Sequence, residues 1–273
     1  MKALLVGVLA IGAGLVAMGK KMFDFAKETG FSFTQLRKFA PAIMFAGEET
    51  KALLHEFGSL KYVTTENLLA MKMLTFQYGV SAAAAAEITE QIMAISGLSF
   101  TVAANSLAWV GELARANKVA PAAVMEDLAG NMEFFATYAR DGGKNLGQAA
   151  VEARKLGLSI ATTAKMAESL LDFESSIESS MEASILIGRH VNLDKARQLA
   201  ALGKTADMQR EILKQVGSQA ELEKLLPIQR KKLAAAFGLG VEELSKMVMN
   251  QEKLNRMAKG QHTAMDKISI LLK

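Results

Sequence analysis

Apolar positions recur every three or four residues along most of the chain beyond residue 20, the spacing of helices that bury one face. Only three prolines interrupt the chain and β-branched runs are few, so the pattern predicts an all-α fold. We expect a multi-helix array of short to medium helices with an apolar N-terminal helix and little or no sheet. Gly30, Gly79, Gly97, Gly157, Gly188, Gly203, Gly217 and Gly238 each follow an apolar-periodic segment, where a left-handed C-terminal cap belongs. Ser159 is placed to cap a helix from Ile160, and Asn192 to cap one that begins at Leu193. Ser218-Gln219-Ala220-Glu221 reads as a capping box. Pro121 and Pro227 suit the first turn of a helix, whereas Pro41 lies within the pattern from Thr34 to Phe57 and predicts a break near Ala40.

The clearest helix is expected over Ile160 to Ile187. Met166, Leu170, Phe173, Ile177, Met181 and Ile185 step by three or four residues and form one apolar stripe. Glu174, Glu178 and Glu182 occupy another face, read as a solvated surface or as a docking face for a basic partner. Ala82 to Ala86 favours helix and lets a second helix approach closely. Asp141-Gly142-Gly143 is the best turn, with joints at Gly30 and Val63-Thr64-Thr65. Gly157-Leu158 followed by Lys165-Met166 is matched at the same spacing by Gly238-Leu239 and Lys246-Met247. Each pair predicts a turn feeding a helix whose first apolar contact falls in its second turn.

One stretch breaks the pattern. Ala3 to Gly19 is an uncharged run of 17 residues flanked by Lys2 and Lys20-Lys21. As a helix it rises about 25 Å, just under a bilayer's hydrocarbon thickness. A membrane-inserting or interfacial helix is the preferred reading; a buried core helix and a secretory signal peptide are the alternatives.

Composition narrows the chemistry. The chain has 273 residues, 51% hydrophobic, and no Cys, which excludes disulfides, Cys-ligated zinc and a cysteine nucleophile. Its net charge of +4 is too small to argue for nucleic acid as a specific partner. The charge is unevenly distributed: residues 121–183 carry ten acidic and five basic side chains, and residues 224–273 four and ten. The acidic centre and basic tail could pair between copies or within one chain. The 16 methionines fill a core or build adaptable surfaces.

The search for a reactive constellation ends without one. His55, His190 and His262 have no partner at metal-ligand spacing. Leu202-Gly203-Lys204-Thr205 resembles the end of a phosphate-binding loop, but Gln198 stands where the first glycine is required and the segment follows a helix. Gly142-Gly143 lacks the third glycine and βαβ setting of a dinucleotide site. Glu242-Glu243 suits a helix start, and Arg230-Lys231-Lys232 reads as a solvated face or partner contact. No residue is therefore assigned a catalytic, cofactor-binding or metal role, no cofactor is expected, and the chain is not expected to be an enzyme. The enzymatic alternative is a muralytic domain with a single catalytic Glu.

A resemblance enters at residues 151–250. Ser169-Leu170-Leu171-Asp172 leading into Ile177-Glu178, Asn192-Leu193-Asp194-Lys195-Ala196-Arg197, Gln215-Val216-Gly217-Ser218 and Val241-Glu242-Glu243-Leu244-Ser245 are its landmarks. Val119-Ala120-Pro121 and Asp141-Gly142-Gly143-Lys144-Asn145 extend them upstream. Over roughly residues 74–250 the chain resembles the tail tape measure proteins of contractile-tailed bacteriophages. The likeness implies a virion component in the tail lumen that acts in tail assembly, length determination and genome delivery across the host membrane. It implies as partners the tail tube protein, tail assembly chaperones, further copies of itself and the host inner membrane. The organisation then expected is 1–30 as the apolar helix, 31–73 as a helical connector, 74–250 as the tape-measure-like region and 251–273 as a basic amphipathic C-terminal helix. Fully helical, this length spans only about 410 Å, short for that family, so a fragment is expected. The Gly-punctuated centre reads as a folded body, not an extended ruler. The reading from another class is a cellular membrane-anchored helical protein-interaction module.

Overall fold

A computed structural model of the chain describes residues 19–258. The expected insertion of Ala3–Gly19 and the last part of the C-terminal helix, residues 259–273, lie outside the described residues, apart from Gly19 itself. Among the described residues the protein is all-α: helices and turns, with no strand. The chain divides into two compact units, Met1–Ala108 and Trp109–Lys273, with the boundary inside one helix, Phe100–Ala116.

The first unit contains α1 (19–29), α2 (Phe33–Leu36), α3 (Ala40–Phe45), α4 (Gly47–Phe57), α5 (Thr65–Lys72), α6 (Ala82–Ser96) and the first part of α7 (Phe100–Ala116). α4 packs on α6, and Leu36, Ile43, Leu53, Met71, Leu74 and Ile88 are fully buried. Within the alanine run Ala84, Ala85 and Ala86 are buried. The break expected near Ala40 is present: a 3-10 turn, Arg37–Phe39, ends there, and Pro41 sits in the first turn of α3. A second break, at Ala46 (φ −140°, ψ 55°), falls immediately before Gly47, which opens α4. α5 continues into a π-helical turn, Met73–Gln77.

The second unit contains the rest of α7, then α8 (Pro121–Ala129), α9 (Met132–Tyr138), α10 (Lys144–Lys155), α11 (Ile160–Leu171), α12 (Phe173–Ile187), α13 (Asp194–Ala201), α14 (Thr205–Val216), α15 (Gln219–Lys224), α16 (Pro227–Ala236) and α17 (Val241–Ala258). α10 packs on α14, α12 on α16, and α13 against both α11 and α14. Met166, Leu146, Ile160, Ile212, Leu233 and Met247 are fully buried. Gln209 fixes three helices together, its Nε2 donating to the Ala149 carbonyl at 3.2 Å and to Thr163 Oγ1 at 2.7 Å. α17 runs through residue 250 without interruption, so residues 251–258 continue an existing helix.

Local chemistry explains most boundaries. All eight glycines expected as helix stops have positive φ, although Gly217 (φ 89°, ψ −161°) lies outside the left-handed helical region. The matched pairs Gly157-Leu158 and Gly238-Leu239 are the same device. The Leu158 N–H donates to the Ala153 carbonyl and the Leu239 N–H to the Ala234 carbonyl, each five residues back, which closes the preceding helix as a Schellman motif. Gly203-Lys204 repeats it, Lys204 N–H reaching the Leu199 carbonyl, so Leu202–Lys204 is a turn between two helices and Thr205 opens the second. Gly238 is also required by space. A Cβ there would stand 2.7 Å from Ser169 Cβ and 3.0 Å from the Lys165 carbonyl oxygen.

Ser159 caps α11, and Ser218 with Glu221 forms a capping box on α15, both as expected. Two expectations need correction. Asn192 does not cap a helix starting at Leu193; its Oδ1 accepts from the Asp194 N–H at 2.9 Å, and the helix begins at Asp194. The single helix expected over Ile160–Ile187 is two helices. Asp172 (φ −74°, ψ 82°) leaves the helical region and becomes the N-cap of α12, its carboxylate accepting from Ser175 N–H and Ser175 Oγ.

Candidate functional site

The break at Asp172 changes what the apolar stripe faces. Met166 and Leu170, before it, are fully buried, whereas Phe173, Ile177, Met181 and Ile185, after it, are 53%, 46%, 60% and 78% exposed. α12 turns its small and polar residues inward instead: Ser176, Ser180 and Ala183 are buried. The reason lies on α13. Arg197, itself only 6% exposed, needs acceptors for a guanidinium withdrawn from water. Its Nε donates to Ser176 Oγ (2.9 Å), its Nη2 to the Ser176 carbonyl (2.9 Å) and Ser180 Oγ (2.8 Å), and its Nη1 to Asp194 Oδ1 (2.8 Å). Ser184 Oγ donates to the Ser180 carbonyl and accepts the Val191 N–H, which secures the chain after α12.

The inward serines and the outward apolar residues are consequences of one arrangement. Four large side chains stand in a row four residues apart, bordered by Glu174, Glu178 and Glu182; Ile177, Met181 and Ile185 line a shallow open depression with those glutamates. Glu182 pairs with Lys232 of α16 at 2.7 Å, while Glu174 and Glu178 make no ion pair among the described residues. At the far end, Gln229 Nε2 donates to the Leu186 carbonyl at 2.7 Å, beside Leu226 and Ile228, which are 62% and 51% exposed. Covering the four row residues is worth about 1–2 kcal/mol each. Contiguous exposed apolar surface is the kind of feature on which interaction sites are built. Its border selects among partners: surface-binding membrane helices carry basic borders that meet anionic lipid, and glutamates oppose that contact. An apolar stripe between carboxylates fits an amphipathic helix with basic flanks.

The basic cluster 230–232 is partly consumed by the fold. Arg230 donates to the Leu225 and Glu223 carbonyls and closes α15, Lys232 pairs with Glu182, and Lys231 is exposed. His55 lies exposed in the last turn of α4 and His190 exposed between α12 and α13; His262 is outside the described residues. No group of three or more His, Asp or Glu side chains that could hold a metal ion occurs among the described residues.

In the second unit burial is the largest influence on two carboxylates, and each serves as a structural tie. Asp127 is pushed above its ordinary value by burial, opposed by the Ile160 N–H at 2.7 Å and Arg154 at 3.3 Å. Burial also pushes Glu152 upward, but hydrogen bonds from Lys155 and Arg210 outweigh it and hold that carboxyl below its ordinary range.

The first unit carries a separate exposed apolar surface that sequence reasoning missed. Phe76, in the π-helical turn, is 91% exposed and Leu69 is 54% exposed. Phe45, 64% exposed, lies under the Lys72 ammonium at 6.0 Å. Periodicity could not find the turn, because one extra residue in it shifts every following side chain. Among the described residues no single helix is long and apolar enough to cross a membrane; α6 and α7 meet that length and composition test only as a pair bent by 116°. Compared with protein-family models, curated proteins and solved structures, the chain matches none.

Proposed function

We propose that the chain is a structural component that works by docking helices: a folded segment of a tail tape measure protein, acting in tail assembly and length determination and in genome delivery. The observation that carries this reading is the outward stripe of α12, four large apolar residues held in water by a polar inner face. Such a surface suits an assembly, where a partner helix would cover it. In a tail it would meet further copies of the chain, tail tube protein or assembly chaperones, and the apolar run Ala3–Gly19 would enter the host inner membrane during ejection. The landmarks from Val119 to Ser245 support the assignment to a tail. Mass spectrometry of purified phage particles tests it: the chain is expected in the particle in several copies, and its absence from virions overturns the proposal.

The membrane-anchored interaction module is the second reading, favoured by the exposed Phe76, Leu69 and Phe45 in the unit that follows the apolar start. A persistent membrane-fraction signal in uninfected cells, with no tail genes beside the reading frame, would select it.

A further inference from the structure

α10 and α14 run side by side in the same direction. The Arg140 guanidinium, ahead of α10, lies against Gly203, ahead of α14, where a Cβ would stand 3.4 Å from its Nε. Further along, Gln209 Nε2 donates to the Ala149 carbonyl at 3.2 Å and Arg210 Nε to Glu152 Oε1 at 2.8 Å. The contacts advance together along both helices, so the helices are parallel and their N-termini share one end of the pair. Each helix is 12 residues long and turns the positive end of its dipole to that place. Neither has a side-chain cap: Gly143 (φ 80°) precedes α10 and Lys204 precedes α14.

The fold leaves positive charge unanswered at this end. The side chains of Arg140 and Lys204 make no ion pair among the described residues, although a helix dipole disfavours cations at its N-terminus. Of the two carboxylates on these turns, Asp207 is paired with Arg210 at 3.0 Å, which leaves Asp141 alone to balance Arg140, Lys144 and Lys204. The N–H groups of Thr205, Ala206 and Asp207 meet no acceptor among the described residues. Thr205 itself is 1% exposed, and its Oγ1 is buried without a hydrogen-bond partner. A hydroxyl so placed costs stability until something supplies the missing bond. Thr205 stands one turn before Gln209, on the stripe of α14 that faces α10, and a side chain at the first helical position tilts toward the helix N-terminus. The hydroxyl is therefore aimed into the gap between the two N-termini.

We infer that the paired N-termini of α10 and α14 form a binding site for a phosphate monoester. The phosphate oxygens accept from the N–H groups at the start of α14 and from the Thr205 hydroxyl, and Arg140 and Lys204 supply the two charges that match a dianion. Four oxygens on a tetrahedron can meet donors that converge from a helix end and two side chains, which the two oxygens of a planar carboxylate cannot all reach. The site is not a phosphate-binding loop, since its donors open a helix that follows another helix and Gln198 replaces the first glycine. It lies apart from the α12 face and adds ligand binding to the assembly role.

Equilibrium dialysis of the full chain against radiolabelled inorganic phosphate, with ionic strength held constant by sodium chloride, tests the site. One phosphate should bind per chain with a Kd of about 1 mM or tighter, and glycerol phosphate should displace it. Arg140→Gln with Lys204→Gln should weaken binding about tenfold. Thr205→Val keeps the shape of the side chain and removes the unpartnered oxygen. It should melt no lower than the parent and yet bind phosphate about fivefold more weakly. Absence of saturable binding, unchanged affinity in both variants, or a Thr205→Val chain that loses stability while keeping its affinity overturns the inference. So does displacement of the label by a short DNA oligonucleotide but not by glycerol phosphate, which would assign the two cations to a nucleic-acid backbone.

Discussion

Arg197 Nε lies 2.9 Å from Ser176 Oγ, and this pair sets the orientation of α12. A guanidinium buried among helices must find several acceptors, and two serines one turn apart plus a main-chain carbonyl supply them. Having turned Ser176 and Ser180 inward, α12 can only place Ile177 and Met181 outward. Arg197→Met should destabilise the second unit by about 2–4 kcal/mol, because the Ser176 and Ser180 oxygens lose their donor in a dry site. Adding Ser180→Ala to that variant should recover part of the loss. Urea unfolding followed by circular dichroism checks both, and additive losses would contradict the coupling.

Residues on the two sides of Asp172 should respond differently although they belong to one sequence stripe. Leu170→Ala removes a fully buried side chain and should cost about 2–5 kcal/mol. Ile185→Ser, at a position 78% exposed, should change the stability of the isolated chain by less than about 0.5 kcal/mol. Equal losses at both sites, measured by urea unfolding at low protein concentration, would mean that the stripe is buried throughout.

Gly238 and Gly188 separate backbone conformation from space. Both have positive φ, 69° and 71°, but only Gly238 has neighbours that a Cβ would strike. Gly188→Ala should cost about 1 kcal/mol and Gly238→Ala about 3 kcal/mol, because the second must also push α11 away. Thermal melts of the two variants would show the order.

Asp127 and Glu152 give opposite pH signatures. Asp127 has a folded-state pKa above the ordinary 3.8, so its ionisation opposes folding. Its favourable contribution is complete below that ordinary value and is lost as pH rises through the raised folded value. Asp127→Asn removes this dependence, and the wild type should gain on the variant as the solution is acidified. Glu152 is held below the ordinary 4.5, so its stabilisation is complete above that value and is lost as pH falls through the depressed one. Glu152→Gln should cost most at neutral pH and least in acid. Urea midpoints of both variants across the acid range test the two signs.

How far the sequence could be read depended on the distance over which each feature is determined. The capping box of Ser218 and Glu221 and the glycine stops depend on residues within one turn, and they were legible. The break at Asp172 was not, because an aspartate fits a helix surface as well as an N-cap and the apolar spacing passes through it unchanged. Nor could spacing reveal which side of α12 faces the core. That depends on Arg197, 21 residues from Ser176, whose burial no local pattern announces. The acidic row was visible as a choice between solvated face and docking face, and the exposure of Ile177, Met181 and Ile185 beside it is what favours docking.

The central claim is that α12 holds its apolar stripe outward in the folded chain. Thiol labelling of a Met181→Cys chain at low protein concentration tests it most directly, with a Gly188→Cys chain as the exposed control. Both thiols should react as fast as a free peptide thiol. Slow labelling of Met181→Cys beside a fast control would place the stripe inside its own chain and contradict the account.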